Sequence, residues 1–391
     1  MNVALVAEWL DAWRGGAETS TLQFMHHLMD RGVELHVYTR SRPSPAPGLV
    51  VHTVSGAAMS RTRRSITFTN RVDRLLQRSA HDIVHAITPC RQATVYQPRG
   101  GTVAESIERN LALRRHSVTR SLKRYANRLN VKQRYMLALE RELFRDPNGP
   151  LVIAISDYVV TQLKRHYDLP DRRIRKIFNG VDDRGTPAEE IARDRAAVRK
   201  EFRIGPDDCL VLSIAHNFRL KGVARWMEAL ALLGRRGVAG IRALVLGDGD
   251  TDRWHRLAAR LGITDLLQFT GPTDRVAAFL HAADLLVHPT YYDPCSRVVL
   301  EAMVAGLPCI TTRWDGAAEV IEEGVNGFVL DSPADVAGLA DRVERVCRNG
   351  DRRRYCAAAR KLKGRVSMAR HAAEILALYE ELLVSRPAAV V

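Results

Sequence analysis

Strands and helices alternate along this sequence in two separate series, and that order leaves few folds open. In the first series, residues 2–7 and 33–38 form apolar runs typical of buried strands, with an amphipathic helix at 19–31 between them. The second series starts with a strand at 209–215 and continues with strands at 241–247, 267–270, 285–288 and 308–311. Because strands joined by single helices run parallel, the pattern predicts an α/β chain with doubly wound, Rossmann-like sheets.

The length of the chain also indicates two domains. It has 391 residues, whereas one hydrophobic core rarely extends past roughly 250–300 residues. We place the boundary at the sequence FNGVD (residues 178–182), where Asn and Gly tolerate the backbone of a sharp turn. The predicted domains are 1–182 and 183–365, and we expect residues 366–391 to form a helix that packs back toward the N-terminal domain.

Composition and cysteine use point to a soluble chain in a reducing compartment. Hydrophobic residues make up 46% and charged residues 26%, as in ordinary globular proteins. No basic segment precedes the short apolar N-terminus, and no apolar run reaches the roughly 20 residues that span a bilayer. The six cysteines lack both CxxC spacing and zinc-type His partners, which predicts scattered reduced thiols. We expect a cytoplasmic protein, soluble or attached to a membrane from outside.

A basic segment at residues 109–135 accounts for much of the net charge of +15. It contains nine Lys or Arg and no Asp or Glu, with Tyr125, Leu129 and Tyr135 interspersed. Such a segment suits an anionic partner, which could be nucleic acid, acidic lipid or a phosphorylated glycan. A solvated helix face is the structural alternative. No helix-turn-helix, RNP or OB pattern accompanies the charge, so a nucleic-acid partner is not favoured.

The most informative stretch is HPTYYDPCSRVVLEAMVAGLPCITTRWDGAAE at residues 288–319. Asp293 lies in a loop before a predicted helix at 296–306, and Glu301 lies about a turn and a half inside that helix. Ser296 and Arg297 stand at the helix start, where unpaired N–H groups and the helix dipole favour an anion such as a diphosphate. Glu301 is followed by an otherwise apolar run, and the hydroxyls of a ribose are the natural partner for its carboxylate.

Further candidates follow the ends of other predicted strands. The sequence HNFRLKG at 216–222 places Arg219 and Lys221 between a strand and a helix. Gly247 begins the loop GDGD after the next strand. In the N-terminal half, Gly15 and Gly16 follow the first strand, where the absence of a Cβ lets the backbone approach a ligand.

Together these segments resemble the retaining glycosyltransferases of family 4, which have the GT-B fold. The family's donor motif is an acidic residue, seven others and a Glu, followed by an apolar helix that ends in Gly-x-Pro. Asp293 stands where the family usually has Glu, and Ile87 where many members have a second His. The resemblance implies two Rossmann-like domains that face each other across an interdomain cleft, and it covers nearly the whole chain.

The resemblance also implies a role for each matching residue. Asp293 would contact the hydroxyls of the donor sugar, and Glu301 would hold the ribose. Arg219 and Lys221 would neutralise the leaving diphosphate, assisted by the helix start at Ser296 and Arg297. The remaining matches would line the cleft or approach the donor or acceptor: His85, Gly15, Gly16, Asn179 and Gly247.

The middle of the chain is similar to the bacterial lipopolysaccharide core glucosyltransferases. This implies transfer of a hexose from a nucleotide sugar, UDP-glucose being favoured, to a membrane-associated glycolipid. The basic segment 109–135 would then meet the anionic inner face of the cytoplasmic membrane.

Asp248 and Asp250 resemble the Asp-x-Asp metal motif of a different glycosyltransferase fold, but they follow a strand as the family's nucleotide loop does. Because the N-terminal half also offers no obvious carboxylate nucleophile, we predict a retaining, front-face reaction without a metal or other cofactor.

Three alternatives stay open from the sequence. The same fold hosts nucleotide-sugar epimerases, which would act on the UDP-sugar alone. The charge leaves a basic nucleic-acid-binding protein as a rival of another class. A pseudo-enzyme that binds a nucleotide sugar without transferring it is the third, because Ile87 and Asp293 depart from the family pattern.

Overall fold

The computed structural model describes residues 1–11, 15–55, 61–114, 116–182, 185–249, 251–348 and 351–385. The chain divides into two compact units. The first contains Met1–Asp182 and the chain from Ser367 onward, and the second contains Asp183–Val366. Parts of the predictions above lie outside the described residues, namely Asp250, Arg115 of the basic segment, and residues 183, 184 and 386–391 at the predicted domain ends.

The first unit is built on a parallel sheet. Seven strands of its described residues pair in the order β3-β2-β1-β4-β5-β6-β7. The central strand is a continuous apolar run, because a parallel strand is covered on both faces. The strands are β1 (Asn2–Val6), β2 (Glu34–Thr39), β3 (Leu49–Thr53), β4 (Ile83–Ala86), β5 (Val95–Tyr96), β6 (Leu151–Ala154) and β7 (Ile174–Lys176).

Helices connect these strands and cover the sheet. Phe24 and Leu28 of the first helix are fully buried against Leu5 and Val37 of the sheet. Side-chain caps fix several helix starts, since the Ser156 hydroxyl accepts a hydrogen bond from the backbone of Val159 at 3.2 Å. The helices are α1 (Gly16–Met29), α2 (Arg61–Leu76), α3 (Val103–Ala112), α4 (Ser117–Leu129), α5 (Val131–Arg145) and α6 (Asp157–Tyr167).

The second unit repeats the architecture with a smaller sheet. Six parallel strands of its described residues are ordered β10-β9-β8-β11-β12-β13. The strands are β8 (Cys209–Ile214), β9 (Ile241–Leu246), β10 (Leu267–Gly271), β11 (Leu285–Val287), β12 (Cys309–Thr312) and β13 (Gly327–Leu330). The helices are α7 (Ala188–Glu201), α8 (Val223–Arg235), α9 (Thr251–Leu261), α10 (Val276–Ala282), α11 (Arg297–Val304), α12 (Val336–Cys347) and α13 (Asp351–Arg360).

The chain then returns to the first unit through α14 (Met368–Val384). Ile375 and Tyr379 of α14 are fully buried in the same core as Phe24 of α1. Ser367 lies beside Val181, and the N–H of Met368 donates to the Val181 carbonyl at 2.8 Å. Gly180 is needed at this point, since a Cβ there would lie 2.6 Å from the Ser367 carbonyl oxygen.

The predicted fold class, two parallel α/β sheets, is confirmed. The predicted strands and helices are present with ends shifted by a few residues; α1, for example, begins at Gly16 rather than at residue 19. Several short strands, such as β5 and β7, were not predicted because two or three residues carry no recognisable periodicity. The expectation of scattered thiols was wrong for one pair, since Cys209 at the start of β8 and Cys347 at the end of α12 form a disulfide.

Candidate functional site

The candidate donor site lies at the carboxyl edge of the second sheet. The predicted residues follow β8, β9 and β11, which are neighbours in the sheet. Because parallel strands end at one edge, loops that are more than 70 residues apart in sequence meet there. The Tyr291 N–H donates to the Leu220 carbonyl at 2.9 Å, which joins the loop after β8 to the loop after β11.

Lys221 and Asp293 form an ion pair at this edge. The Lys221 ammonium lies 2.5 Å from Asp293 Oδ2 and 3.3 Å from the carbonyl oxygen of Tyr292. Gly222 permits this approach, because its φ is +72° and a Cβ there would lie 2.0 Å from the Pro289 carbonyl oxygen. The structure therefore brings together two residues that the sequence analysis assigned to different parts of the donor.

His288 completes the cluster. Its side chain is buried, and its Nε2 lies 3.4 Å from Asp293 Oδ2 and 3.3 Å from the Ser296 hydroxyl. Burial raises the pKa of Asp293, but the Lys221 ammonium and the hydrogen bonds from Lys221 and His288 outweigh this effect, so the pKa lies well below its usual range. Asp293 is thus a carboxylate that can accept hydrogen bonds from sugar hydroxyls at any physiological pH.

The backbone around Asp293 is fixed by the loop after β12. The Asp293 N–H donates to the Trp314 carbonyl at 2.8 Å, and the Gly316 N–H donates to the Asp293 carbonyl at 2.9 Å. The Asp315 carboxylate accepts from the backbone N–H of Ser296 at 2.9 Å and of Ala317 at 2.9 Å. Residues 293–296 are therefore held along residues 314–317 as a short bridge.

Asp315 is fully enclosed and close to another acid. Burial and the negative charge of Asp293 raise the pKa of Asp315 to about 6. Its Oδ2 lies 2.8 Å from the Thr311 hydroxyl, which also lies 2.9 Å from the His288 carbonyl oxygen. A hydroxyl has one proton to donate, so both contacts are satisfied when Asp315 is protonated and donates to Thr311.

Asp315 should therefore make stability depend on pH. Because folding raises its pKa above the usual 3.8, its contribution is fully present below pH ~4 and is lost as the pH rises through about 6. An Asp315→Asn variant keeps the hydrogen bonds without the titration. Between pH 5 and 7.5 we expect its free energy of unfolding to fall by about 1 kcal/mol less than that of the wild type.

Urea denaturation at the two pH values measures this difference. Asp331→Asn is the matched control, because Asp331 is almost fully exposed and its removal takes away the same charge. If Asp315→Asn and the wild type lost stability equally over this range, the protonated carboxyl would be the wrong description.

Helix α11 presents its N-terminus at the same edge. Ser296 is the N-cap residue, but its hydroxyl makes no capping hydrogen bond and instead lies 3.3 Å from His288 Nε2. The helix is eight residues long, so its first-turn N–H groups can bind an anion as helix N-termini do. Arg297, the first residue of α11, pairs through its guanidinium with Glu301 one turn further along the helix, at 2.6 Å, and both side chains are partly exposed.

The two other predicted residues of this unit flank the cluster. Arg219 is exposed in the turn that leads to Lys221. Gly247 follows β9 and donates its N–H to the Gly271 carbonyl at 3.0 Å. A Cβ at Gly247 would lie 1.8 Å from the Ala215 carbonyl oxygen, so only glycine fits between the ends of β8 and β9.

The predicted residues of the first unit lie in different environments. Gly15 and Gly16 form the start of α1, and Gly16 is exposed. Asn179 is largely buried after β7, and its N–H donates to the Ile155 carbonyl at 3.1 Å. His85 has no exposed surface, and its Nδ1 contacts the Tyr379 hydroxyl of α14.

The sequence predicts that His85 lines a cleft, whereas the structure buries its side chain completely. Burial and the nearby Arg99 charge lower the pKa of His85 to about 3, so the ring is neutral at physiological pH. The side chain points into the core because β4 is covered on this face by α14 and by Phe24, whose ring centroid lies 5.6 Å from that of His85. A direct contact with substrate is not supported by this position.

Sequence reasoning missed His288 and Asp315 as members of the donor site. Both lie in the stretch that drew attention, but neither has a spacing that marks a function. A signal was present, since His288 follows β11 directly and Asp315 follows β12, where polar residues at strand ends collect at one edge.

Family models match the two halves of the chain. The model described as "Glycosyltransferase Family 4" matches residues 14–184, and "Glycosyl transferases group 1" matches residues 194–363. The curated lipopolysaccharide glucosyltransferase WaaG of Escherichia coli K12 is 29% identical over 211 residues. That match covers 54% of this chain and 56% of the relative, so it spans little more than half of either protein.

Solved structures share the fold along nearly the whole chain. A crystal structure of WaaG, a glycosyltransferase involved in lipopolysaccharide biosynthesis, superimposes with a TM-score of 0.80 at 24% identity, covering 95% of this chain and 99% of that one. HepE of Anabaena in complex with UDP-glucose gives a TM-score of 0.70 at 18% identity, over 97% and 100% of the two chains. At these identities the likeness establishes the fold.

Proposed function

Since the chain belongs to family 4 of the glycosyltransferases and has their GT-B fold, we propose that it transfers a hexose from a nucleotide sugar to a membrane-associated glycolipid. The convergence of Lys221, Asp293 and the N-terminus of α11 at one sheet edge carries the proposal. This arrangement offers a cation and backbone N–H groups for a diphosphate beside a carboxylate for sugar hydroxyls. UDP-glucose is the proposed donor, because HepE has been crystallised with it and WaaG is a glucosyltransferase.

Lys221 can serve the diphosphate while it is paired with Asp293. An ammonium has three N–H donors, and the two contacts of Lys221 leave one for a phosphate oxygen. Arg219, exposed in the same turn, supplies a second cation. As the bond to the sugar breaks, negative charge builds on the diphosphate, and fixed cations stabilise that charge.

We propose that the reaction retains the anomeric configuration. The acceptor hydroxyl attacks C1 on the face that the diphosphate leaves, the C1–O bond to phosphate breaks, and the departing phosphate oxygen takes the hydroxyl proton. This route uses no carboxylate nucleophile and no metal. Proton NMR of the product tests it: with an α-linked donor we expect an α-anomeric signal, and a β-anomer would contradict the proposal.

We propose that the acceptor is reached at the inner face of the cytoplasmic membrane. Val118, Leu122, Tyr125 and Leu129 lie along one side of α4 and are 62–68% exposed. The cations of the basic segment flank these side chains. The apolar side chains can therefore insert into an anionic membrane, while each Lys or Arg near its surface adds roughly 1 kcal/mol of electrostatic attraction. None of the described helices is both long and apolar enough to cross a bilayer.

The glycolipid acceptor is inferred from relatives. A lipopolysaccharide core saccharide is the first candidate, because WaaG is named for lipopolysaccharide glucosylation. Purified protein incubated with UDP-glucose and lipopolysaccharide in anionic vesicles should form a glucosylated glycolipid. Conversion of the UDP-sugar alone to an epimer, without transfer, would favour an epimerase instead.

Glu301→Ala should abolish donor binding and turnover if this carboxylate holds the ribose. We expect the thermal shift given by UDP-glucose to disappear, because a lost pair of hydrogen bonds to a charged group weakens binding by about 10²-fold or more. Thermal shift against UDP-, GDP- and ADP-sugars measures donor choice in the same experiment. Glu344→Ala is the control, because Glu344 near the end of α12 forms a similar ion pair at 2.6 Å with Arg348, the residue that follows the helix.

Near-normal turnover in Glu301→Ala would contradict the ribose assignment. A wild type that gives no shift with any nucleotide sugar, even with lipopolysaccharide and anionic vesicles present, would count against the proposed function as a whole.

A further inference from the structure

A pocket in the first unit opens between α3, α4 and α5. Its volume is about 420 Å³, within the range of about 300–1,000 Å³ typical of small-molecule sites. Ile107 and Leu111 of α3 and Leu137 of α5 supply apolar walls. The pocket belongs to none of the donor-site elements, so it needs a separate explanation.

Two polar groups in the lining have no hydrogen-bond partner among the described residues. Asn127 is 8% exposed, and its Nδ2 is buried without an acceptor. Gln133 Oε1 is likewise buried without a donor. A buried polar group left unpaired costs free energy, which a ligand with its own polar atoms would recover.

Three arginines surround the same pocket. Arg124 and Arg128 of α4 and Arg134 of α5 line it, and no Asp or Glu occurs between residues 109 and 135 to neutralise them. Guanidinium groups bind phosphate oxygens through paired N–H donors. The pocket therefore combines apolar walls, an unpaired amide and a concentrated positive charge.

We infer that this pocket binds one molecule of an anionic phospholipid, with an acyl chain against the apolar walls and the phosphate on the arginines and Asn127. The charge argues for an anionic head group, and the walls argue for a hydrocarbon chain. The exposed apolar side of α4 adjoins Arg124 and Arg128 along the helix, so a lipid could enter from a membrane that α4 contacts. Such a site differs from general attraction of lipids to a charged surface, because it would bind a fixed number of lipid molecules per chain.

Dihexanoyl phosphatidic acid, used below its micelle concentration, tests this in the full chain by isothermal titration calorimetry. We expect one lipid per chain, with much weaker binding of inorganic phosphate and of dihexanoyl phosphatidylcholine. Leu111→Trp, which fills the pocket, and Arg134→Gln, which removes a cation, should each weaken binding by about tenfold or more. Equal affinity for phosphate alone would identify a free-phosphate site and overturn the inference.

Asn127→Leu separates a ligand role from a structural one. Because the variant removes an unpaired buried amide, its Tm should rise or stay level, while its lipid affinity should fall about tenfold. Leu122→Ser, on the exposed side of α4, is the matched control: it should weaken binding to anionic vesicles and leave soluble lipid unaffected. Saturable lipid binding that Leu111→Trp and Asn127→Leu leave unchanged, or no binding by the wild type, would overturn the inference. Neither measurement depends on sugar transfer, so a failure of the lipid inference can be told apart from a failure of the proposed function.

Discussion

Replacing Lys221 by Met should lower kcat by about 10²- to 10³-fold, since removal of one fixed donor to a developing negative charge costs this much in comparable sites. Methionine has a similar length and keeps the packing of the stem against the loop after β11. The loss should appear mainly in kcat, because the charge on the diphosphate is greatest when the bond to the sugar breaks. Steady-state kinetics with UDP-glucose and the glycolipid acceptor measure both parameters.

The same variant should change the response to acid. Lys221 lies 2.5 Å from Asp293 and holds the pKa of that carboxyl down. Without the ammonium the pKa rises, so the acid limb of the activity profile should move to higher pH. Lys200→Met on α7 is the control, because Lys200 is exposed in the same unit. If the Lys221→Met enzyme had the wild-type kcat and an unchanged acid limb, Lys221 would have no part in the mechanism.

The parts of the donor site that could be predicted from sequence are those whose spacing is local. Asp293, Ser296 and Glu301 lie on one loop and helix, so their relation to the helix start follows from nine residues of sequence. Lys221 was placed near them only through resemblance to a family. The structure adds the ion pair between Lys221 and Asp293, which depends on the packing of Gly222 against Pro289 across two strands.

The errors have a different cause. His85 lies on β4, where side chains alternate between the two faces of the sheet. This alternation does not show which element covers each face. The element is α14, nearly 300 residues away, whose Tyr379 contacts the His85 ring. The disulfide between Cys209 and Cys347 is also a long-range contact, between a strand start and a helix end. Sequence periodicity fixes an element and its faces, whereas it does not identify the partner of a face.

Asp284 shows how much a long-range contact can matter without any sequence signal. It precedes β11 and is 4% exposed. Its carboxylate lies 2.8 Å from Arg195, 3.2 Å from Arg199 and 3.5 Å from Arg352. It also accepts the N–H of Leu210 in β8 at 2.8 Å. One acid thus connects two helices, α7 and α13, to the centre of the second sheet.

Asp284→Ala should destabilise the second unit by about 3–5 kcal/mol, as expected when one partner of a buried ion pair is removed and the other charges remain. Arg199 is the group most affected. Burial lowers its pKa and Asp284 offsets part of that effect, so without the carboxylate its charge is buried with less compensation. Because β11 leads directly to His288 and Asp293, we expect the thermal shift with UDP-glucose to be lost together with stability.

Urea denaturation followed by tryptophan emission measures the change, since three of the chain's five tryptophans (Trp226, Trp254 and Trp314) lie in the second unit. Asp284→Asn should lose less, because its amide oxygen can still accept the Leu210 N–H. Asp341→Ala is the control: Asp341 pairs with Arg236 at 2.6 Å, but its side chain is 62% exposed, and such pairs contribute roughly 0–1 kcal/mol. If Asp284→Ala cost no more than Asp341→Ala, the three arginines would be sufficiently solvated without their carboxylate, and the buried network would not hold the β11 loop in place.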